Sequence, residues 1–357
     1  MAEVPCGEGK GTVRTDQPWA ADGVADREWL RERPGDRDEL RQRLRRLPPG
    51  HPSSPVETDG TPKPPEPGLR RHETAERDTA READCRPLTD AEHAEHVNEV
   101  RARLDKARAD GLATEQQHTI DPAREVWSDQ RDALHDSIID DLYANAADVP
   151  CERRAIIAGG LPGAGKSTVL ECHAGIDRSQ YLTINPDVIK EEMARRDMIP
   201  PVTGLSPMEA SDLVHEESSY VARQLALRAQ ADGKNVIWDI TMSSRASTER
   251  RIDELRSSGY TRIEGIFIDI PVEISVSRAD GRHREGQDDY RAGDGLGGRF
   301  IPAEMIRAQA EPDWGSHNRK TFEEVKEHFE RWCMFDNSGL APVLVQTDRG
   351  KEGHDHY

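Results

Sequence analysis

Hydrophobic positions along this chain follow no sustained period through residue 86 and then fall into helical and strand-like spacings. Residues 48–68, PPGHPSSPVETDGTPKPPEPG, carry almost no large apolar side chain and cannot bury enough surface to order themselves. Just before them, DRDELRQRLRRL places Leu40, Leu44 and Leu47 on one helical face, with acids early and arginines late. That charge order suits the helix dipole, and the segment is expected to be a transient helix in a disordered, Pro-rich and charged arm spanning 1–86. From Pro87 the pattern becomes regular. Thr89 and Glu92 have the spacing of a capping box, and Val97, Val100, Leu104 and Ala107 recur at helical intervals as far as Gly111. Asp121-Pro122, a cap followed by a first-turn proline, predicts a second helix that carries Trp127, Leu134, Ile138, Ile139 and Leu142 inward. The stretch 87–150 is therefore expected to be a helical extension packed on a core at 151–348, followed by a disordered tail at 349–357.

From Arg154 onward short apolar runs alternate with helical patterns. RAIIAGG is the first run, and YLTI at 181–184 and NVIWDI at 235–240 are further strand candidates. RIEGIFIDI at 262–270, WCMFD at 332–336 and PVLVQT at 342–347 complete the set. Helices are predicted from Lys166, over about 207–231 before Gly233, and through STERRIDELRSSG to Gly259. Strands alternating with helices predict an α/β fold: a mostly parallel sheet with helices on both faces, behind the helical extension and arm.

Composition narrows the function classes. Of the 357 residues 34% are hydrophobic and 33% charged, too polar for one packed body of that length. A net charge of −19 argues against the sequence-independent grip of basic proteins on nucleic acid. No run reaches the length of a membrane span, and the N-terminus lacks a signal-peptide pattern, so no membrane partner is expected. The five cysteines (Cys6, Cys85, Cys151, Cys172, Cys333) form no CxxC pair and read as reduced thiols of a cytoplasmic protein.

The chemistry begins at GGLPGAGKST. Gly160, Gly165, Lys166 and Ser167 satisfy GxxxxGK[ST], within a loop that runs through Leu161, Pro162, Gly163 and Ala164 to Thr168. Backbone amides must close on an anion there, so side chains are absent at Gly163 and Gly165, and the following helix aims its positive end at phosphates. Lys166 is expected at the terminal phosphates of a nucleotide and the Ser167 hydroxyl on Mg²⁺, in a loop that ATPases, GTPases and kinases share. After the second strand, TINPDVIK sets Asp187 just past a carboxyl end, read as next to the loop strand. A carboxylate there can take the proton of an attacking hydroxyl or, in the plainer alternative, cap the helix that follows. The third strand ends with Asp239, placed to hold Mg²⁺ through water, and a hydroxyl rim of Thr241, Ser243 and Ser244. No NKxD segment of a GTPase is present. Past the fourth strand stand Arg278, Arg282 and Arg284, then Arg299, with Gly281, Gly286 and GDGLGG read as marks of a mobile segment. Such arginines can neutralise charge on a transferring phosphoryl group; a solvated basic helix end is the alternative.

These motifs resemble the zeta toxins. GLPGAGKST, NPDVIK, HEESSYVARQLALRAQADGKNV, WDIT, RADGRHREG, GGRFIPAEMI and FDNSG…PVLVQT occur in that family's order, over about residues 127–347. The resemblance implies a P-loop kinase-type fold and an ATP- and Mg²⁺-dependent kinase of the sugar 3′-hydroxyl of UDP-N-acetylglucosamine, restrained by a small antitoxin. It implies Asp187 as general base, Lys166 and Ser167 on the triphosphate and metal, and Thr241 on the sugar nucleotide. Arg282 and Arg299 would stabilise the phosphoryl group, with Arg278 and Arg284 competing for the first role. Where some members carry a substrate-contacting glutamate this chain has Arg223, so Glu216 or Glu217 is expected to substitute; Ser243 stands where some carry an arginine. Another hydroxyl acceptor (an antibiotic, a nucleotide, a polynucleotide end) and a binding module without transfer remain open alternatives.

Other constellations carry less. His93 and His96, one helical turn apart, lack a visible third ligand and read as an exposed helix face. Trp238 reads as core, Trp314 as a candidate base-stacking residue, His215 as a surface residue and GHDHY as a frayed end.

Overall fold

The computed structural model describes residues 86–348. The arm apart from Arg86, the leucine-bearing helix at 36–47, Cys6, Cys85 and the GHDHY tail lie outside the described residues.

Helix α1 (Asp90–Ala109) starts where the capping box predicts: the Thr89 hydroxyl accepts from the Glu92 amide, and Glu92 returns to the Thr89 amide at 2.9 Å. A short α2 (Thr114–His118) leads into a small antiparallel pair, β1 (Thr119–Asp121) and β2 (Val126–Trp127). Here the expected second helix is corrected. Asp121-Pro122 caps only a 3₁₀ turn, Pro122–Arg124, which ends at Glu125 in the left-handed region. The helix itself, α3 (Asp129–Asn145), opens from Ser128, so Trp127 packs from a strand.

The core is a six-stranded sheet in the order β10-β9-β6-β3-β5-β4. Strand β3 (Arg154–Gly159) runs into the glycine loop and α4 (Lys166–Cys172). Then come β4 (Leu182–Ile184), α5 (Pro186–Arg195), a 3₁₀ turn over Glu209–Val214 and α6 (His215–Asp232). The predicted helix over 207–231 is thus two elements, joined at Val214–His215. β5 (Val236–Asp239), α7 (Arg245–Ser257), β6 (Arg262–Asp269) and α8 (Val272–Arg291) follow. α9 (Ala303–Arg307), the hairpin strands β7 (Ala310–Glu311) and β8 (Gly315–Ser316), and α10 (His317–Val325) precede β9 (Arg331–Asp336) and β10 (Val343–Thr347). All pairings in the main sheet are parallel except β9 with β10.

The two-residue period of the strands sorts side chains onto two faces. Ala155, Ile157, Val236, Trp238, Ile263 and Phe267 join one core, while Ile156, Ala158, Ile237, Ile266 and Ile268 join the other with Val169 and Leu170 of α4. The first core also takes Val100, Leu104, Trp127, Ile138 and Ile139, so the extension and the sheet share one apolar interior. Because β3 lies between β5 and β6, the chain crosses over the loop strand, which places a crevice at its carboxyl end. β4 is the edge strand, separated from β3 by β5, so Asp187 does not follow an immediate neighbour of the loop strand as expected.

Candidate active site

The glycine loop is shaped by what packs against it. Gly160, Gly163 and Gly165 all have positive φ. A Cβ on Gly160 would meet the Ile268 carbonyl oxygen at 2.4 Å, and one on Gly165 the Asn337 amide nitrogen at 2.6 Å. Asn337 donates to the Ala164 carbonyl at 2.8 Å, Ser275 to that of Pro162 at 2.6 Å, and Arg278 to that of Gly163 at 3.4 Å. The loop is therefore braced from α8 and from the end of β9.

A cleft of about 400 Å³ opens above the loop. Gly163, Lys166, Ser167 and Thr168 line it from the loop; Asp187, Glu216, Thr241, Arg282 and Arg299 are among the residues of its other walls. Lys166 Nζ lies 3.4 Å from Asp239 Oδ1, and Asn185 donates to the other Asp239 oxygen at 3.1 Å. Asn185, not Asp187, is the N-cap of α5: its side chain accepts from the Asp187 amide at 2.8 Å. Relieved of capping, the Asp187 carboxylate faces the cleft and is ion-paired with Arg299, with Lys190 Nζ at 3.7 Å. Lys190 is buried, which lowers its pKa against the pull of Asp212 and Glu216.

The three candidate arginines after β6 separate cleanly. They stand within α8, and Gly281 and Gly286 lie inside that helix. Arg278 bonds the loop and the Asn337 carbonyl, Arg284 turns to Asp90 and the Leu88 carbonyl, and Arg282 lines the cleft. Within the stretch read as mobile, Gly281, Gly293 and Gly295 stand in open space, whereas Gly286 and Gly298 are closely packed. A Cβ on Gly286 would meet Gly298 Cα at 2.7 Å, and one on Gly298 the His283 carbonyl oxygen at 1.9 Å. These glycines let the chain before Arg299 lie directly on α8.

Three further expectations are corrected. Glu217 does not line the cleft; it is buried between Arg131 and His135 of α3, which approach it at 2.5 and 2.6 Å. Burial alone would raise its carboxyl, but the hydrogen bonds from His135 and Arg131 outweigh that and hold it at about 2. Glu216 takes the cleft position instead. Ser243 does not line the cleft; its hydroxyl accepts from that of Thr241 at 3.2 Å across the left-handed Met242. His215, expected on the surface, lines the cleft with its Nδ1 3.5 Å from Lys190 Nζ.

Several cleft residues carry no motif. Arg223, Arg250, Arg251 and Glu254 form the wall beside Trp238, with the Arg251 guanidinium 5.1 Å from the indole centroid. Arg250 and Arg251 sit one helical turn before Glu254 on α7, a charged face that sequence alone renders as solvated. Nor are His93 and His96 an exposed face: His93 is buried at 2.9 Å from Asp280, and His96 lies 2.5 Å from the buried Glu209.

A braced glycine loop at a crossover crevice, with a carboxylate and arginines gathered in the same cleft, defines a P-loop phosphotransferase. The family model described as "Zeta toxin" matches residues 143–346, more than half of the chain, and the chain belongs to that family as a kinase of the P-loop class. Among solved structures it is similar to AvrRxo1-ORF1:-ORF2 with ATP, at 18% identity and a TM-score of 0.50, covering 66% of this chain and 76% of that one. It is also similar to the PezAT chromosomal toxin–antitoxin system of Streptococcus pneumoniae, at 14% identity and a TM-score of 0.45, covering 64% and 85%. No curated protein sequence matches it. Among the described residues no helix is long and apolar enough to cross a membrane.

Proposed function

We propose that this protein transfers the γ-phosphoryl group of ATP to the sugar 3′-hydroxyl of UDP-N-acetylglucosamine, with Asp187 as general base. The observation that carries the reading is one cleft lined by Lys166 and Ser167 of the loop, Asp187, and the arginines Arg282 and Arg299. Asp187 accepts the proton as the hydroxyl oxygen bonds to phosphorus and the bond to the ADP oxygen breaks. Lys166, Arg282 and Arg299 stabilise charge on the phosphoryl oxygens. The Ser167 hydroxyl and the Asp239 carboxylate offer the hard oxygen donors that Mg²⁺ takes, and the ion would neutralise phosphate charge when bound. Thr241 and Glu216 are assigned to the acceptor.

Family membership supports a cytoplasmic setting and restraint by a small antitoxin protein. The test is incubation with Mg-ATP and a panel of sugar nucleotides, read as a mass gain of one phosphate. If UDP-N-acetylglucosamine stays unmodified while another hydroxyl compound gains phosphate, the acceptor assignment fails and the kinase assignment stands.

A further inference from the structure

Behind the two cleft arginines lies a cluster that the phosphotransfer reading does not use. Helix α1 presents His93 and His96, and α8 presents Asp280 and His283, each pair three residues apart and so on one face of its helix. The 3₁₀ turn Glu209–Val214 brings Glu209 between them. His96 Nε2 and His283 Nε2 converge on the same oxygen, Glu209 Oε1, at 2.5 and 2.9 Å. The other oxygen, Oε2, accepts from the Ser206 amide at 2.8 Å and the Ser206 hydroxyl at 3.0 Å, which fixes the carboxylate plane. Glu209 and His283 are almost wholly buried, while His96 reaches solvent.

One observation separates this from ordinary core packing. The donor atoms of His96, Glu209 and His283 all lie within 4.8 Å of one another, with those of His93, Asp280 and His283 forming a second such group alongside. Imidazole nitrogens plus one oriented carboxylate form a donor set for Zn²⁺ and its neighbours in the first transition row, with a fourth position left for water. The Ser206 bonds are the outer support that metal-binding carboxylates require.

We propose that His96, Glu209 and His283 form a binding site for a divalent transition metal of the Zn²⁺ class, which ties α1 to α8 beneath the active cleft. The ion enters from the His96 side and takes the place of the two hydrogen bonds to Glu209 Oε1; each neutral imidazole then carries its ring proton on Nδ1, and any imidazolium releases its second proton to solvent. Its position gives it a structural reach into the cleft. His283 follows Arg282 directly, and its carbonyl oxygen is where a Cβ on Gly298, the residue before Arg299, would collide. Ser206, which holds Glu209, packs in the same way on Gly297.

The test uses the full chain, stripped with a chelator and titrated with Zn²⁺ and, separately, with Co²⁺. Wild type should bind one more equivalent of Zn²⁺ than His96→Ala or Glu209→Gln, raise its Tm by about 5 °C in excess metal, and show Co²⁺ absorption bands of tetrahedral type. Both variants should lose the bands and the Tm rise while keeping a native circular dichroism spectrum. Equal Zn²⁺ binding in wild type and both variants assigns the metal elsewhere, for instance to His354 and His356, and overturns the proposal. So does wild-type protein with no Co²⁺ bands, which leaves a hydrogen-bonded His–Glu–His network only. Neither readout depends on phosphotransfer, so the site stands or falls apart from the kinase reading.

Discussion

Arg299 is ion-paired with Asp187, across 112 residues of chain, at the mouth of the cleft. Both side chains are partly exposed, so the pair contributes little to stability and can open. In the proposed reaction an acceptor hydroxyl takes the place of Arg299 on the carboxylate, and the guanidinium turns to the phosphoryl group. Asp187→Asn is then expected to leave ATP affinity within about twofold while lowering turnover by roughly 10² to 10⁴, as loss of a general base does. Parallel nucleotide titration and single-turnover assays check this; full turnover in the variant removes Asp187 from the mechanism.

The division of labour along α8 makes a three-way comparison. Arg282→Ala is expected to lower turnover by roughly 10²-fold or more, since it withdraws charge from the transferring group. Arg278→Ala should weaken nucleotide binding as well, because Arg278 also braces the Gly163 and Asn337 carbonyls. Arg284→Ala should leave turnover unchanged and loosen only its tie to Asp90 and Leu88, read as faster hydrogen exchange near residue 90. A turnover loss confined to Arg284→Ala would reverse the assignment.

Gly298 tests whether the segment before Arg299 is held by packing. Its Cβ site lies 1.9 Å from the His283 carbonyl oxygen, a backbone atom that cannot swing away. Gly298→Ala is expected to destabilise the fold by about 1–3 kcal/mol, the usual range for overpacking, and to lower turnover by displacing Arg299. Denaturant melts and kinetics on the same sample measure both; unchanged values in each would mean that the segment moves freely.

The buried Glu217 gives a pH signature. Its carboxyl is held at about 2, below its ordinary 4.5, so its contribution to stability is complete above 4.5 and is lost as pH falls from there toward 2. Glu217→Gln leaves Arg131 buried without its partner and is expected to cost roughly 3 kcal/mol at pH 7. The variant should also show a shallower loss of stability between pH 4.5 and 2 than wild type. An acid limb identical to that of wild type would show that other carboxylates dominate it.

The residues that could be read from sequence are those whose role is local. The glycine loop needs positive φ and a helix start, the Thr89–Glu92 box needs one turn of helix, and strand alternation needs only a period of two. Asp187 was recognisable because it follows a strand end and a cap, although the strand's place at the sheet edge was not. Pairings across long separations were not readable. Glu217 turns inward because α3 offers Arg131 and His135 from 86 and 82 residues away. His96 finds Glu209, 113 residues on, only once the 3₁₀ turn has packed against α1. Gly286 and Gly298 resemble parts of a flexible stretch until the two segments lie on each other, where the missing side chains are what allows contact.

Backbone conformation and periodicity act over a few residues, so the chain's own order was enough for the main-sheet strands, the phosphate loop and the family, but not for the helix expected from Asp121 or the single helix expected over 207–231. Which of several like-charged side chains faces the cleft depends on how those elements pack, since rotation by one helical position separates Arg282 from His283 and Glu216 from Glu217. That choice belongs to the tertiary structure, because only burial against a distant partner makes one rotation cheaper than another.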